Sequence, residues 1–319
     1  MRYIKDRKSP YLRWFMWGII LFSLTFVDGG QAFQVRESAG GGTFRFTVTS
    51  DVHANARVWR HILKQISDQK GDAGAFHITL GDEVRPARLF RLMKQEFGPG
   101  ILWFPLVGNH DVTRFLGHPA IFWIRRHYAA LSFLSREGPS GAESTTYALD
   151  YGAAHLVMLN LYYNGNSDKG VRHGRVDESL LKWLEKDLSQ NRKAVTLVFG
   201  HEPAFARMSR GGISLETRDR FWALLEKYGV MAYICGHEHK YERIRPRGRV
   251  WQVTVGNAGN TAHSEEDGFT FLDIEVFERG VRLCVWRGNR GPFASDDCWE
   301  IEAEAESFQR VVESSGILP

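Results

Sequence analysis

Short apolar runs of β-favouring residues alternate with stretches of helical spacing through most of this chain. The runs Phe44–Thr49, 75–80, 102–107, 194–199 and 230–235 have the length and composition of buried strands. Between them, Val58, Ile62, Leu63 and Ile66 recur at helical spacing, as do Leu180, Leu181, Leu184 and Leu188, and then Phe221, Leu224 and Leu225. That alternation predicts a layered α/β fold. Residues 145–151, 155–161, 250–255, 269–277 and 281–286 read as further strands in close succession, which predicts hairpins and antiparallel pairing. Two packed sheets with helices outside accommodate both patterns. Within residues 112–144 helical spacing predicts an amphipathic helix, with Phe122 and Trp123 assigned to the core.

Each of the first five runs ends at a short polar motif. In order these are Asp51-Val52-His53, Gly81-Asp82, Gly108-Asn109-His110-Asp111, Gly200-His201 and Gly236-His237-Glu238-His239. All five therefore sit in loops past the carboxyl ends of strands, the edge at which α/β sheets gather functional groups. The glycines suit tight exits and close backbone approach. Asp51, His53, Asp82, Asn109, His201, His237 and His239 supply carboxylate, imidazole and amide oxygen, donors that suit Mn, Fe, Zn or Co better than copper. Cys is absent from that set, which argues against a closed structural zinc site. A shared carboxylate is the usual bridge of a two-metal hydrolytic centre, and Asp82 is the candidate bridge.

This motif set resembles that of the calcineurin-like metallophosphoesterases, including the branch that contains the purple acid phosphatases, over residues 43–260. The resemblance implies a four-layer αββα sandwich of two mixed sheets flanked by helices. It also implies two divalent or mixed-valence metal ions. Asp51, His53, Asp82 and His239 would hold one ion, and Asp82, Asn109, His201 and His237 the other. A metal-bound hydroxide would attack phosphorus, with His110 off the metals as the catalytic residue assisting the leaving group. Histidine suits that role by its pKa and by the charge of its protonated form. Gly236 through Arg243 is similar to the phosphatase branch in particular. The purple phosphatases carry a tyrosine ligand three residues after the bridging aspartate; Arg85 stands there in this chain, so a coloured ferric site is not expected. The protein Ser/Thr phosphatases instead place at that position an aspartate that orients the catalytic histidine, and Arg85 removes that partner as well.

Arg85, Asn109 and His110 are candidates for substrate contact, although Arg85, Arg88 and Arg91 also have the spacing of one solvated helix face. Substrate choice is expected in residues 112–144, with Arg114, Phe115 and His118, and in residues 161–178, with Tyr162, Tyr163 and His173. The basic run Lys240, Arg243, Arg245, Arg247 and Arg249 is read as a solvated hairpin that could steer anions. His61, His77, His155 and His263 lack ligand context and are read as structural, with His263 an outside candidate for substrate contact. The function expected is that of an exported metal-dependent phosphoesterase acting on a small phosphorylated substrate. The alternatives are a phosphodiesterase or pyrophosphatase on the same site, and a non-catalytic metal-binding scaffold.

Composition changes this picture at the amino terminus. The net charge is +4, but residues 1–32 hold five Lys/Arg and two Asp, or +3, leaving about +1 for the remainder and no nucleic-acid footprint. Arg2, Lys5, Arg7, Lys8 and Arg13 precede an uncharged apolar stretch from Trp14 to Val27, followed by Gly30-Gln31-Ala32. This is the layout of a signal peptide, or of a membrane anchor through residues 14–27 if uncleaved. The domains expected are therefore a leader over 1–32, a linker over 33–42, a catalytic domain over 43–302 and a tail over 303–319, with the catalytic domain periplasmic or extracellular. In that setting Cys284 and Cys298, flanking Gly288–Pro292, are candidates for a disulfide, and Cys235 for a buried thiol.

Overall fold

A computed structural model describes residues 43–113, 120–128, 136–207, 211–260 and 268–303; the leader, Arg114, Phe115, His118, His263 and the tail beyond Ala303 lie outside them. From β1 (Phe44–Thr49) the chain passes through α1 (Ala56–Lys70), β2 (His77–Thr79), α2 (Pro86–Phe97), β3 (Trp103–Pro105), α3 (Asn109–Val112) and α4 (Ile121–Tyr128). It continues through β4 (Arg136–Glu137), β5 (Tyr147–Tyr151), β6 (Ala154–Met158), α5 (Glu178–Gln190), β7 (Val195–Phe199), α6 (Leu215–Lys227) and β8 (Ala232–Cys235). The last strands are β9 (Glu242–Ile244), β10 (Trp251–Thr254), β11 (Phe269–Phe277), β12 (Gly280–Gly288) and β13 (Ala294–Glu302).

These strands form two mixed sheets, in the orders β13-β12-β11-β1-β2-β3 and β4-β5-β6-β7-β8-β10-β9. β1, β2 and β3 run parallel, as do β6, β7, β8 and β10, so their carboxyl ends lie along a common edge of each sheet. Aromatic side chains join the sheets face to face: Phe44 meets Tyr151 at 4.8 Å between ring centroids, and Phe46 meets Phe199 at 6.4 Å. Helices close the outer faces. α1 buries Trp59, Ile62, Leu63 and Ile66 against the first sheet, and α5 buries Leu180, Leu184 and Leu188 against the second. Each such side chain contributes about 1.5–3 kcal/mol relative to an exposed one. Asn55 starts α1 by accepting the Val58 amide at 3.3 Å, and Gly71, at φ 81°, ends it with its amide on the Ser67 carbonyl.

One expectation about the elements requires correction. Phe122 is 47% exposed, because α4 buries Ile121, Ile124 and Tyr128 instead; Trp123 does pack, against Phe90 and Trp103. β13, unpredicted from the sequence, pairs along β12, and Cys284 stands opposite Cys298 with a disulfide between them. Cys235 is buried.

Candidate metal centre

All seven proposed donors converge where the carboxyl ends of β1, β2, β3, β7 and β8 meet. On one side His53 Nε2 lies 3.1 Å from His239 Nε2, 3.7 Å from Asp51 Oδ1 and 3.8 Å from Asp82 Oδ2, while His239 Nε2 is 3.3 Å from Asp51 Oδ1. On the other, His201 Nε2 lies 3.1 Å from Asn109 Oδ1, 3.3 Å from His237 Nδ1 and 3.5 Å from Asp82 Oδ2. Bonds of about 2.1 Å to a central cation imply edges of about 3.0–3.4 Å between neighbouring ligand atoms. The two groups thus have the dimensions of two coordination shells, and Asp82 Oδ2 is the atom common to both.

The hydrogen bonding supports the same reading. His201 donates from Nδ1 to the Leu80 carbonyl at 2.7 Å, which turns Nε2 toward the other donors. Asp51 Oδ2 accepts from Ser50 Oγ at 2.6 Å and from the His237 amide at 2.9 Å, whereas its buried Oδ1 has no hydrogen-bond donor. A buried carboxylate oxygen without a donor is costly, and a cation there would satisfy it. Burial opposes the charge of Asp51, but facing His239, His201 and His53 hold its carboxyl well below the usual range. Burial likewise opposes charging His201, yet Asp82 and Asp51 prevail and raise it to about 10, so a cation binding at Nε2 would displace the proton held there. Burial lowers His53 and His237. The residues present fit a pair of divalent ions.

Backbone strain marks the loops. Asp51 (φ 58°), His53 (φ 48°), Asp82 (φ 61°), Val84 (φ 59°), His237 (φ 71°) and His239 (φ 57°) occupy the left-handed region, where side chains are disfavoured. One residue that sequence reasoning quoted without a role holds much of this in place. Asp111, fully buried, accepts the amides of Asp82 at 2.7 Å, Val84 at 2.8 Å and Gly108 at 3.0 Å, tying the second and third motifs together. Gly108 is required there, because a Cβ would run into the Asp82 carboxylate and amide. Ser50 and Glu202 were also missed. Glu202 accepts from Tyr162 Oη at 2.9 Å and from the Gly174 amide at 2.7 Å beside His201. Only their adjacency to motif residues could have flagged them.

His110 stands at the rim. Its amide donates to Asp82 Oδ1 at 2.8 Å, its Nε2 is 3.9 Å from Asp82 Oδ2, and its side chain is 48% exposed. Arg85 is exposed at the start of α2, and its guanidinium makes no hydrogen bond or ion pair among the described residues. Tyr162 and Tyr163, expected in a substrate loop, are buried and tied to Glu202 and the Ser140 carbonyl; His173 is exposed. Much of the basic run is engaged in structure, Arg243 with Asp297, Arg245 with the Arg249 carbonyl and Arg247 with Asp219. His77 and His155 are structural. The first sits between Thr47 and Thr49, the second between Asp150 and Asp187.

Comparison with known proteins agrees with this geometry. The calcineurin-like phosphoesterase family profile matches residues 44–241, more than half of the chain. Tartrate-resistant acid phosphatase type 5 of Homo sapiens is 27% identical over 265 residues, covering 72% of this chain and 78% of that protein. An acid phosphatase of Aspergillus ficuum is 39% identical over 170 residues, covering 42% of this chain and 28% of that protein. Among solved structures, a dimetal phosphatase from Danio rerio superposes with a TM-score of 0.58 at 15% identity, covering 82% of this chain and 99% of that one, a likeness of fold.

Proposed function

Since the chain belongs to the calcineurin-like phosphoesterase family and is a phosphoric ester hydrolase, we propose that it cleaves small phosphate esters at a two-ion centre held by Asp51, His53, Asp82, Asn109, His201, His237 and His239. The observation that carries this reading is the position of Asp82 Oδ2, 3.8 Å from His53 Nε2 and 3.5 Å from His201 Nε2, between the two donor groups. The chemistry supplied by a bound ion pair, Mn, Fe or Zn by donor type, is a water-derived nucleophile near neutral pH and relief of charge on phosphoryl oxygens. Asp82 and Asp51 set the negative charge that retains the cations. The lone pair of His201 Nε2 is kept available by the Leu80 carbonyl. His110, at the open rim, donates the proton of its imidazolium form to the departing alkoxide and is left as neutral imidazole. Arg85, exposed just beyond Asp82, offers a guanidinium to a substrate phosphate.

Export of the protein is supported by the basic and apolar leader of residues 1–32 and by the Cys284–Cys298 disulfide, a bond characteristic of oxidising compartments.

The test is hydrolysis of p-nitrophenyl phosphate and bis-p-nitrophenyl phosphate by the full-length protein with Mn, Fe or Zn supplied, beside Asp82→Asn. Metal-dependent turnover that Asp82→Asn loses by at least about 100-fold is expected, and the ratio of the two rates ranks monoester against diester. Turnover retained by Asp82→Asn, or none with any metal in folded, metal-loaded protein, would contradict the proposal.

A further inference from the structure

His239 is held on both ring nitrogens. Its Nε2 faces the proposed centre, 3.3 Å from Asp51 Oδ1 and 3.1 Å from His53 Nε2. Its Nδ1 lies 3.1 Å from the carboxamide nitrogen of Asn260. A neutral imidazole carries a single proton, so Nε2 can bind a cation only if that proton sits on Nδ1. An Nδ1–H then requires an acceptor, which an amide nitrogen is not. A half-turn of the carboxamide about its Cβ–Cγ bond puts Oδ1 in the same place with the same shape.

We propose that Asn260 is a positioning residue for the centre. Its side-chain oxygen accepts the Nδ1 proton of His239 and so keeps the Nε2 lone pair directed at the ion on the Asp51 side. This inference rests on the two-ion reading of the site and adds a residue outside all five motifs. His201 has its equivalent proton fixed by the Leu80 carbonyl at 2.7 Å, a backbone group that substitution cannot remove. At His239 the acceptor is a side chain, so the tautomer can be tested directly.

The turn carrying Asn260 is built to hold it. Asn257 Oδ1 accepts the Gly259 amide at 2.9 Å and the Asn260 amide at 2.6 Å. The Ala258 amide donates to the Ser50 carbonyl at 2.8 Å, and Asn55 Nδ2 donates to the Gly259 carbonyl at 2.9 Å. A Cβ at Gly259 would collide with the Val52 carbonyl. The turn is thus stitched to the same loop that presents Asp51 and His53, and Asn260 approaches His239 from a fixed base. Partners behind a ligating histidine of this kind are worth about 10- to 100-fold in metal affinity.

The experiment is a Zn²⁺ titration of full-length wild type, Asn260→Asp and Asn260→Leu by calorimetry and bound-metal analysis, with ¹⁵N-histidine spectra of the zinc-loaded wild type. Asp keeps the acceptor, and Leu keeps the volume without it. The expected result is two sites in wild type, near-wild-type affinity in Asn260→Asp, and one site weakened about 10- to 100-fold in Asn260→Leu, with His239 protonated on Nδ1. Equal affinity in Asn260→Leu, or His239 protonated on Nε2 in the loaded protein, would overturn the proposal. Fewer than two sites in wild type would overturn the two-ion reading, and this inference with it; the wild-type arm separates that outcome from the others.

Discussion

Five of the seven proposed donor residues, Asp51, His53, Asp82, His237 and His239, hold left-handed backbone angles. Each such conformation costs about 1–3 kcal/mol and survives only where the surroundings enforce it. Here the His53 amide donates to the Asp82 carbonyl at 2.8 Å, and Asp111 gathers three amides from the neighbouring loops. The convergence of these side chains was legible in the sequence because their types and order are distinctive. Their strain and the roles of Asp111 and Asn260 were not, since a buried hydrogen bond between distant loops leaves no local pattern. His110 differs from the proposed donors in being half exposed, although its Nε2 lies 3.9 Å from Asp82 Oδ2. His110→Ala is therefore expected to lower kcat about 10²- to 10⁴-fold while bound-metal analysis still finds the wild-type content. Loss of metal from that variant would place His110 among the ligands.

At the scale of elements, the strands that end in motifs were read within a few residues of their positions, because fully buried strands are continuous apolar runs. β13 escaped notice because it is an edge strand, largely exposed and studded with Asp296, Asp297, Glu300 and Glu302. Charge there discourages pairing with another chain and erases the apolar signature. The β5–β6 hairpin is tied to α5 through His155, whose nitrogens meet Asp150 at 2.6 Å and Asp187 at 2.8 Å. Burial disfavours its charge, but the two carboxylates win and raise it to about 9. Its ordinary value is near 6.5, so the folded state binds this proton more tightly. The resulting stability is complete below about pH 6.5 and is lost as pH rises through about 9. Urea unfolding between pH 6 and 9.5 should show stability falling by up to about 3 kcal/mol from this group. His155→Gln should be less stable at pH 6 and flatter over that window; an unchanged slope would remove His155 from the account.

Across the whole molecule, the proposed centre forms because two sheets packed face to face bring the carboxyl ends of their parallel strands to one place. The first delivers Asp51, His53, Asp82 and Asn109, the second His201, His237 and His239. Hydrogen bonds cross between them, from His201 to the Leu80 carbonyl and from the His237 amide to Asp51. Periodicity revealed strands and helices but not which sheet each strand joins, so the αββα layering came from the family resemblance. The Cys284–Cys298 disulfide lies on the β12–β13 hairpin and closes a loop with a sequence separation of 14. The double variant Cys284→Ser, Cys298→Ser should unfold at a melting temperature lower by about 5–10 °C, from a loss of about 3 kcal/mol. Its kcat/KM should match wild type below that transition; a large loss of activity in the folded variant would connect the hairpin to the site. The central claim, two ions sharing Asp82, is tested most directly by counting ions bound per chain in wild type, Asp82→Ala and His237→Ala. Two in wild type, with both weakened by Asp82→Ala and only one by His237→Ala, is the predicted result. A single ion in wild type, or an Asp82→Ala variant that loses only one, would contradict it.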